Sequence, residues 1–213
     1  MVYPFGKVLL PPVYKLWLRK VEGLENVPRD RPFIIAANHS SYYDTLLLHT
    51  ILIPILDKKI HALVNSNYWN NPLTKTFLDW GECIPVFVKH QPGAKIKNKK
   101  SFLKAVKLLR EKEILLIFPE GRRSPDGKLG KAYSGIAKIA LEKNTPVLPA
   151  GIIGANEVLP RGKLFPRFRK CDVKIGKLMV FDRYKKTDEK TLEEITRKIM
   201  KEIAKLIGQK YNY

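Results

Sequence analysis

His39 and Asp44 stand five residues apart in Asn38-His39-Ser40-Ser41-Tyr42-Tyr43-Asp44, and further along the chain comes Phe118-Pro119-Glu120-Gly121-Arg122-Arg123-Ser124. Between them the two segments supply a base, a carboxylate to orient it and guanidinium groups for an anion. That set of side chains reads as acyl transfer to a phosphorylated alcohol.

The first segment follows the apolar run Phe33-Ile34-Ile35-Ala36-Ala37, flanked by Arg31-Pro32 and by Asn38, which predicts a buried parallel strand ending in a loop. His39 is then at a strand's carboxyl end, where open α/β sheets place their ligands. Within one continuous helix His39 and Asp44 would point about 140° apart. They meet only if His39 is still in the loop and Asp44 is in the first turn of a helix carrying Leu46, Leu47 and Leu48. Asp44 then accepts a hydrogen bond from one imidazole nitrogen, fixing the tautomer and leaving the other nitrogen to take a proton. No Gly-x-Ser-x-Gly elbow is present, since Ser134 lies in Ala132-Tyr133-Ser134-Gly135-Ile136, and Ser40 and Ser41 adjoin His39 too closely to be obvious nucleophiles. The nucleophile expected is the substrate's own hydroxyl. Against this stands a plainer reading, in which Asn38 and Asp44 cap a turn and a helix and His39 is incidental.

Ile114-Leu115-Leu116-Ile117-Phe118 is a second buried-strand pattern, after which Pro119-Glu120-Gly121 turns the chain ahead of Arg122 and Arg123. Two arginines beside a glycine at a strand's end suit a phosphate, because a planar guanidinium binds phosphate oxygens in pairs. Glu120 is placed to hold an arginine or to contact a substrate hydroxyl. The plainer alternative is a solvated basic turn in which Glu120 pairs locally.

His39 through Asp44 fits Asn-His-x-x-x-x-Asp, and Phe118 through Ser124 is one residue from Phe-Pro-Glu-Gly-Thr-Arg-Ser. On these motifs the chain resembles the 1-acylglycerol-3-phosphate (lysophosphatidic acid) acyltransferases and their PlsC-type glycerolipid relatives. The resemblance runs from Val21 to Lys177 and takes in Val21-Glu22-Gly23-Leu24-Glu25-Asn26-Val27-Pro28 and Thr145-Pro146-Val147-Leu148-Pro149-Ala150-Gly151. It implies that His39 is the base and Asp44 its partner, and that Glu120, Gly121 and Arg123 bind the acceptor. It also implies an acyl-CoA or acyl-carrier-protein thioester as co-substrate, a lysophospholipid as acceptor and no cofactor. The chain departs from the family at two places that face the acceptor phosphate. After Ile84-Pro85-Val86 the family's arginine position holds Val88, with Lys89 one step later, and a family lysine position aligns with Asn65. Arg122, in place of the family threonine, is expected to restore one positive charge.

A chain of 213 residues that is 45% hydrophobic can bury one sizeable core, and no linker or internal repeat divides it. Strand-like runs at Phe33-Ala37, His61-Val64, Ile84-Val88, Ile114-Phe118, Val147-Ile153 and Val173-Ile175 alternate with helical patterns at Ser101-Lys112 and Tyr133-Glu142. The expectation is an α/β fold with a mainly parallel central sheet flanked by helices, glycerolipid acyltransferase-like. Residues 21–213 would form the acyltransferase domain, closed by a packing helix that Thr187 caps and that carries Leu192, Ile195, Ile199, Ile203 and Leu206.

Residues 1–20 mix apolar and aromatic residues, Trp17 among them, with Lys7, Lys15, Arg19 and Lys20, as an interfacial segment does, although Pro11-Pro12 breaks any helix there. The alternative is that this apolar arm folds back onto the domain. The start lacks a small-residue cleavage site, so no signal peptide is expected, and no run reaches the ~20 apolar residues of a membrane span. Forty basic residues against 20 acidic ones give a formal charge of +20, a field that attracts anionic lipid, acidic carrier protein, coenzyme A phosphates or nucleic acid. Arg161, Lys163, Arg167, Arg169 and Lys170 surround Leu164, Phe165 and Phe168, which reads as a membrane-docking loop; Lys95, Lys97, Lys99 and Lys100 read as a solvated basic loop. The resulting picture is a peripheral protein on the cytoplasmic face of an anionic membrane, with no nucleic acid partner. The competing class is a basic membrane- or RNA-binding module without catalysis, and another lysolipid acceptor stays open. Cys83 and Cys171 lack metal-ligand spacing and read as reduced structural residues, with an acyl-enzyme at Cys83 as the minor alternative. His49, His61 and His90 form no cluster with carboxylates in the sequence, so no metal site is expected.

Overall fold

The computed structural model describes residues 16–142, 144–163, 165–184 and 186–213, so most of the N-terminal arm and Leu164 lie outside the described residues. In chain order the elements are β1 (Leu18–Glu22), β2 (Ile34–Ala37), α1 (Tyr43–Leu56), β3 (Ile60–Asn65), α2 (Pro72–Trp80), β4 (Ile84–Val86), α3 (Ala94–Arg110), β5 (Ile114–Ile117), α4 (Gly135–Glu142), β6 (Val147–Ile153), α5 (Ala155–Val158), β7 (Cys171–Ile175) and α6 (Glu189–Ile207). Short 3-10 turns at Leu24–Asn26 and Ser66–Asn70 complete the described elements.

The strands form one seven-stranded sheet in the order β1-β7-β6-β2-β5-β3-β4. The four inner pairings from β6 to β4 are parallel, whereas β7 runs antiparallel to β6 and carries β1 parallel beside it. β2 and β5 sit in the middle, and every residue of both is buried, which is why they read as unbroken apolar runs. Alternate residues of β2 serve opposite faces: Phe33, Ile35 and Ala37 join Leu47 and Leu48 of α1, while Ile34 and Ala36 join Ala105 of α3, Ile136 of α4 and Ile195 of α6. The fold is therefore α/β with helices on both faces, and the loops after β2, β3, β4, β5 and β6 all leave from one edge of the sheet.

Several elements differ from the sequence reading. Leu18–Lys20 belong to an edge strand, because the charged residues Arg19 and Lys20 face solvent while Leu18 and Val21 reach the core; Arg19 holds Asp172 on β7 through both nitrogens of a forked ion pair. Lys95, Lys97, Lys99 and Lys100 lie on α3 rather than in a loop, because Gly93 starts that helix early from a left-handed conformation. The last helix is capped by Asp188, whose carboxylate accepts the Thr191 N–H at 2.8 Å, and not by Thr187. His61 lies between two carboxylates, 4.0 Å from Glu82 and 3.7 Å from Glu113, a juxtaposition invisible in sequence because His61 is on β3 and the two carboxylates come from the separate turns ahead of β4 and β5. Among the described residues no cluster suited to a metal ion is present.

Gly23, at φ 81°, joins β1 to the rest of the domain, and a Cβ there would come within 2.0 Å of the Ile175 carbonyl oxygen. Both the backbone conformation and the contact exclude a side chain. Gly23→Ala is expected to cost about 2–4 kcal/mol, by strain and by loss of the β1–β7 edge. Urea unfolding should show a lower midpoint at unchanged slope; an unchanged midpoint would count against the close approach.

Candidate active site

β2 ends at Ala37, and Asn38 anchors the loop that follows. Its side-chain amide bridges the backbone of Ile152 on β6, donating to the carbonyl at 2.8 Å and accepting the N–H at 2.8 Å, as a further peptide unit would. His39 is still in the loop and Asp44 lies in the first turn of α1, the arrangement that the spacing requires. The His39 Nδ1 is 2.8 Å from the Asp44 Oδ2. The same oxygen accepts the N–H groups of Ser40 at 2.7 Å and Ser41 at 2.8 Å, so three donors converge on one atom of a fully buried carboxylate. Asp44 thus caps the turn and orients the imidazole at once; the two readings of it are not exclusive. The imidazole stacks on Phe118 with ring centroids 3.9 Å apart, which fixes its plane and leaves Nε2 on the side away from Asp44.

Among the described residues no serine or cysteine side chain is hydrogen-bonded to the imidazole. The Ser41 hydroxyl donates to the Leu159 carbonyl at 2.7 Å and accepts the Tyr43 N–H, and the Ser124 hydroxyl donates to Asp126. Cys83 precedes β4, three strands from β2 in the sheet, which is about 14 Å by strand spacing alone. Burial also pushes its thiol pKa up, so both its place in the sheet and its environment disfavour an acyl-enzyme at Cys83.

The second segment closes over the first. Glu120 is buried, and its two oxygens accept the backbone N–H of His39 at 3.1 Å and of Gly130 at 2.7 Å. The Ser124 N–H in turn donates to the His39 carbonyl at 2.7 Å. Glu120 therefore holds the backbone of His39, a role the sequence did not suggest. Burial, ahead of the opposing N–H bonds, raises its carboxyl above the ordinary range, and Asp44 nearby raises it further. Gly121, at φ 66°, makes the turn, and a Cβ there would lie 3.0 Å from the Tyr133 ring.

Arg123 turns inward and Arg122 is exposed. The Arg123 guanidinium carbon lies 3.5 Å from the centre of the Tyr42 ring, and its Nη2 donates to the Tyr68 hydroxyl at 3.3 Å; the two tyrosine hydroxyls are 3.0 Å apart. Nη1 is buried without a hydrogen-bond partner, a donor left over for an anion. Tyr42 was visible in the sequence only as a spacer within the first segment, and Tyr68 carried no signal at all. Asn65 caps the 3-10 turn by accepting the Asn67 N–H at 2.9 Å, and the Val88 N–H goes to Gln91, so neither position supplies a cation. Beside that turn opens a groove of about 400 Å³ lined by Trp69, Phe87, Gln91 and Lys97.

Trp17 packs edge-on against Tyr43, ring centroids 6.4 Å apart, and is half-buried against the core rather than displayed. Phe165 and Phe168, by contrast, are exposed. No helix among the described residues is long and apolar enough to cross a membrane.

A family model described as Acyltransferase matches residues 18–153. The 1-acyl-sn-glycerol-3-phosphate acyltransferase of Bacillus subtilis is 31% identical over 146 residues, covering 68% of this chain and 69% of that protein. The chloroplastic 1-acyl-sn-glycerol-3-phosphate acyltransferase LPAT1 of Arabidopsis thaliana is 26% identical over 159 residues, 74% of this chain but 41% of the plant protein. The chain thus spans less than half the length of that relative. The crystal structure of the Thermotoga maritima 1-acyl-sn-glycerophosphate (LPA) acyltransferase, PlsC, shares the fold with a TM-score of 0.69 at 24% identity, over 97% of this chain and 80% of that one.

Removing the Glu120 carboxylate would leave the N–H groups of His39 and Gly130 without acceptors, so Glu120→Ala should cost about 2–4 kcal/mol. The raised pKa gives the pH dependence its sign. The folded chain holds this proton more tightly than the unfolded chain, so acidification from the raised value towards the ordinary one adds stability. Denaturation across that window should show wild type gaining on Glu120→Gln as pH falls; parallel curves would contradict the assignment.

Proposed function

The chain belongs to the Acyltransferase family, and on that premise we propose that it moves a fatty acyl group from an acyl thioester to the free hydroxyl of a lysophospholipid, 1-acylglycerol-3-phosphate first among them, giving phosphatidic acid. The observation that carries this reading is the His39 imidazole held between Asp44 and Phe118 with one nitrogen free for a proton. His39 Nε2 takes the acceptor hydroxyl's proton as its oxygen forms the new ester bond. The carbon–sulfur bond of the thioester breaks, and the thiolate leaves with the proton returned by the imidazolium. Asp44 stabilises that imidazolium and keeps Nδ1 protonated. No cofactor is needed for this sequence of steps, and the donor is an acyl-CoA or acyl-carrier-protein thioester.

The Arg123 guanidinium, stacked on Tyr42 and with Nη1 unspent, is the group proposed to bind the acceptor phosphate, with Arg122 contributing charge from the surface. A second reading, in which the acceptor is another lysolipid, draws support from Asn65 and Val88, which put no cation beside the 3-10 turn. A purely binding role has no use for a buried carboxylate aligned on an imidazole. The exposed Phe165 and Phe168, among Arg161, Lys163, Arg167 and Arg169, are proposed to meet an anionic membrane on its cytoplasmic face.

The decisive assay is release of free thiol from an acyl thioester, dependent on added lysolipid. His39→Ala should lower turnover by a factor on the order of 10² to 10⁴. Near-normal turnover in folded His39→Ala would overturn the mechanism. Arg123→Ala should mainly raise the KM for a phosphorylated acceptor, with Arg123→Lys a poor rescue because the fork is lost. If wild type prefers an acceptor without a phosphomonoester, and Arg123→Ala penalises both acceptors equally, the phosphate assignment fails and the second reading holds.

A further inference from the structure

α2 is exposed almost all round: of its nine residues only Leu78 is buried. Leu73, Phe77 and Trp80 recur at helical spacing and form one apolar stripe on it. They are 84%, 54% and 57% exposed, with the Phe77 and Trp80 ring centroids 6.2 Å apart. The surroundings are basic. The one carboxylate on α2, Asp79, is paired with Lys75 at 2.6 Å. Lys104 reaches the Cys83 carbonyl just past the helix, close enough to act on Asp79 as well.

The position of α2 ties this stripe to the site. The crossover from β3 to β4 is right-handed by rule, which sets α2 on the same face of the sheet as α1. Its first turn abuts the anion subsite, since the Thr74 hydroxyl donates to the Tyr68 carbonyl and the Tyr68 hydroxyl accepts from Arg123. On the other flank of the dyad, the Ser41 hydroxyl is bonded to Leu159, at the root of the segment bearing Phe165 and Phe168.

We infer that the outer face of α2 is a membrane-docking surface, with Leu73, Phe77 and Trp80 entering the boundary between headgroups and acyl chains of an anionic bilayer while Lys75 and Lys104 meet the headgroups. This goes beyond the Phe165 and Phe168 loop and rests on the reading that the acceptor is a lysophospholipid, for which the bilayer is the reservoir. Size decides between a bilayer and a protein partner. A stable protein interface needs ~800 Å² from each side. A three-residue stripe on a helix about 13 Å long falls well short of that. Shallow insertion asks only for a few apolar side chains backed by cations, and it works through several weak contacts together. Docking at α2 sets the lip of the Arg123 subsite at headgroup level, so the acceptor headgroup enters without leaving the interface.

The test uses the full chain and sonicated vesicles of phosphatidylcholine and phosphatidylglycerol in a two-to-one ratio. The triple variant Leu73→Ser, Phe77→Ser, Trp80→Ser should lose partition onto these vesicles by about tenfold or more, because its apolar contribution to insertion is gone. Its thermal unfolding should match wild type, since all three side chains are exposed. Esterification of a dispersed short-chain lysophosphatidic acid should stay within about twofold, as the dyad is untouched. In a second arm, brominated lipid should quench tryptophan emission in wild type and quench it measurably less in Trp80→Phe. Unchanged partition in the triple variant, or equal quenching in Trp80→Phe, overturns the inference. So does a sedimentation change between wild type and the triple variant in the absence of vesicles, which would show a second copy of the chain covering the stripe. If neither protein esterifies any lysolipid while partition still falls, the proposed function fails and the docking surface stands.

Discussion

The site depends on one constraint: three neighbouring parallel strands end at the same edge, and the loops that follow must satisfy their buried backbone groups without water. Three side chains do this. Asn38 supplies a surrogate peptide pair to β6, Asp44 gathers the N–H groups of Ser40 and Ser41, and Glu120 spans from His39 to Gly130. Each bond is local housekeeping for a loop. Together they leave the His39 main chain no freedom, with its N–H taken by Glu120 and its carbonyl by the Ser124 N–H. An imidazole positioned through its backbone, and through Phe118 and Asp44 at its ring, is aligned before any ligand arrives, as the proposed role of base requires.

The electrostatics follow from the same packing. Two carboxylates are buried next to one another in a chain that is otherwise strongly basic. Asp44 is served by a cluster of donors on one oxygen. Glu120 is served by backbone N–H groups alone, and burial wins over them, so its proton affinity rises. Arg123 meets neither carboxylate in an ion pair; it is held by the face of Tyr42 and the hydroxyl of Tyr68. An ion pair would have consumed the guanidinium's charge, whereas a ring and a neutral acceptor fix its place and leave that charge for a ligand. A lysine could not take the same seat, having no plane to stack.

Much of this was legible in the sequence. The spacing of His39 and Asp44 excluded a shared helix and so predicted a loop followed by a first turn, and the buried runs marked β2, β5 and β6. What was hidden has a common physical form. β1 reads as part of an arm because its partner β7 is distant in sequence and its own residues alternate with Arg19 and Lys20. The bridge from Glu120 to the His39 backbone is a contact between two loops, and nothing in either segment's composition names the other's N–H as its target. Tyr68 belongs to a turn that meets Arg123 only through the sheet order. Periodicity reports burial on an element's own axis; it does not report which side chains from separate elements converge beyond the strand ends.

That convergence is also what the proposed membrane contact rests on. The Arg123 subsite, the α2 stripe and the segment with Phe165 and Phe168 are all reached from loops on the edge where His39 lies, with α2 and that segment flanking the dyad. The exposed aromatic groups on α2 and the Phe165 loop lie on either side of the part-exposed His39 imidazole, and Tyr42 and Tyr68 hold the Arg123 guanidinium. An amphiphilic acceptor poses a geometric demand that a soluble one does not, because its headgroup and its chain must be held in different media during one reaction. On the proposed function, a polar loop bounded on both sides by apolar side chains would meet that demand with the same strand ends that hold His39 against Asp44.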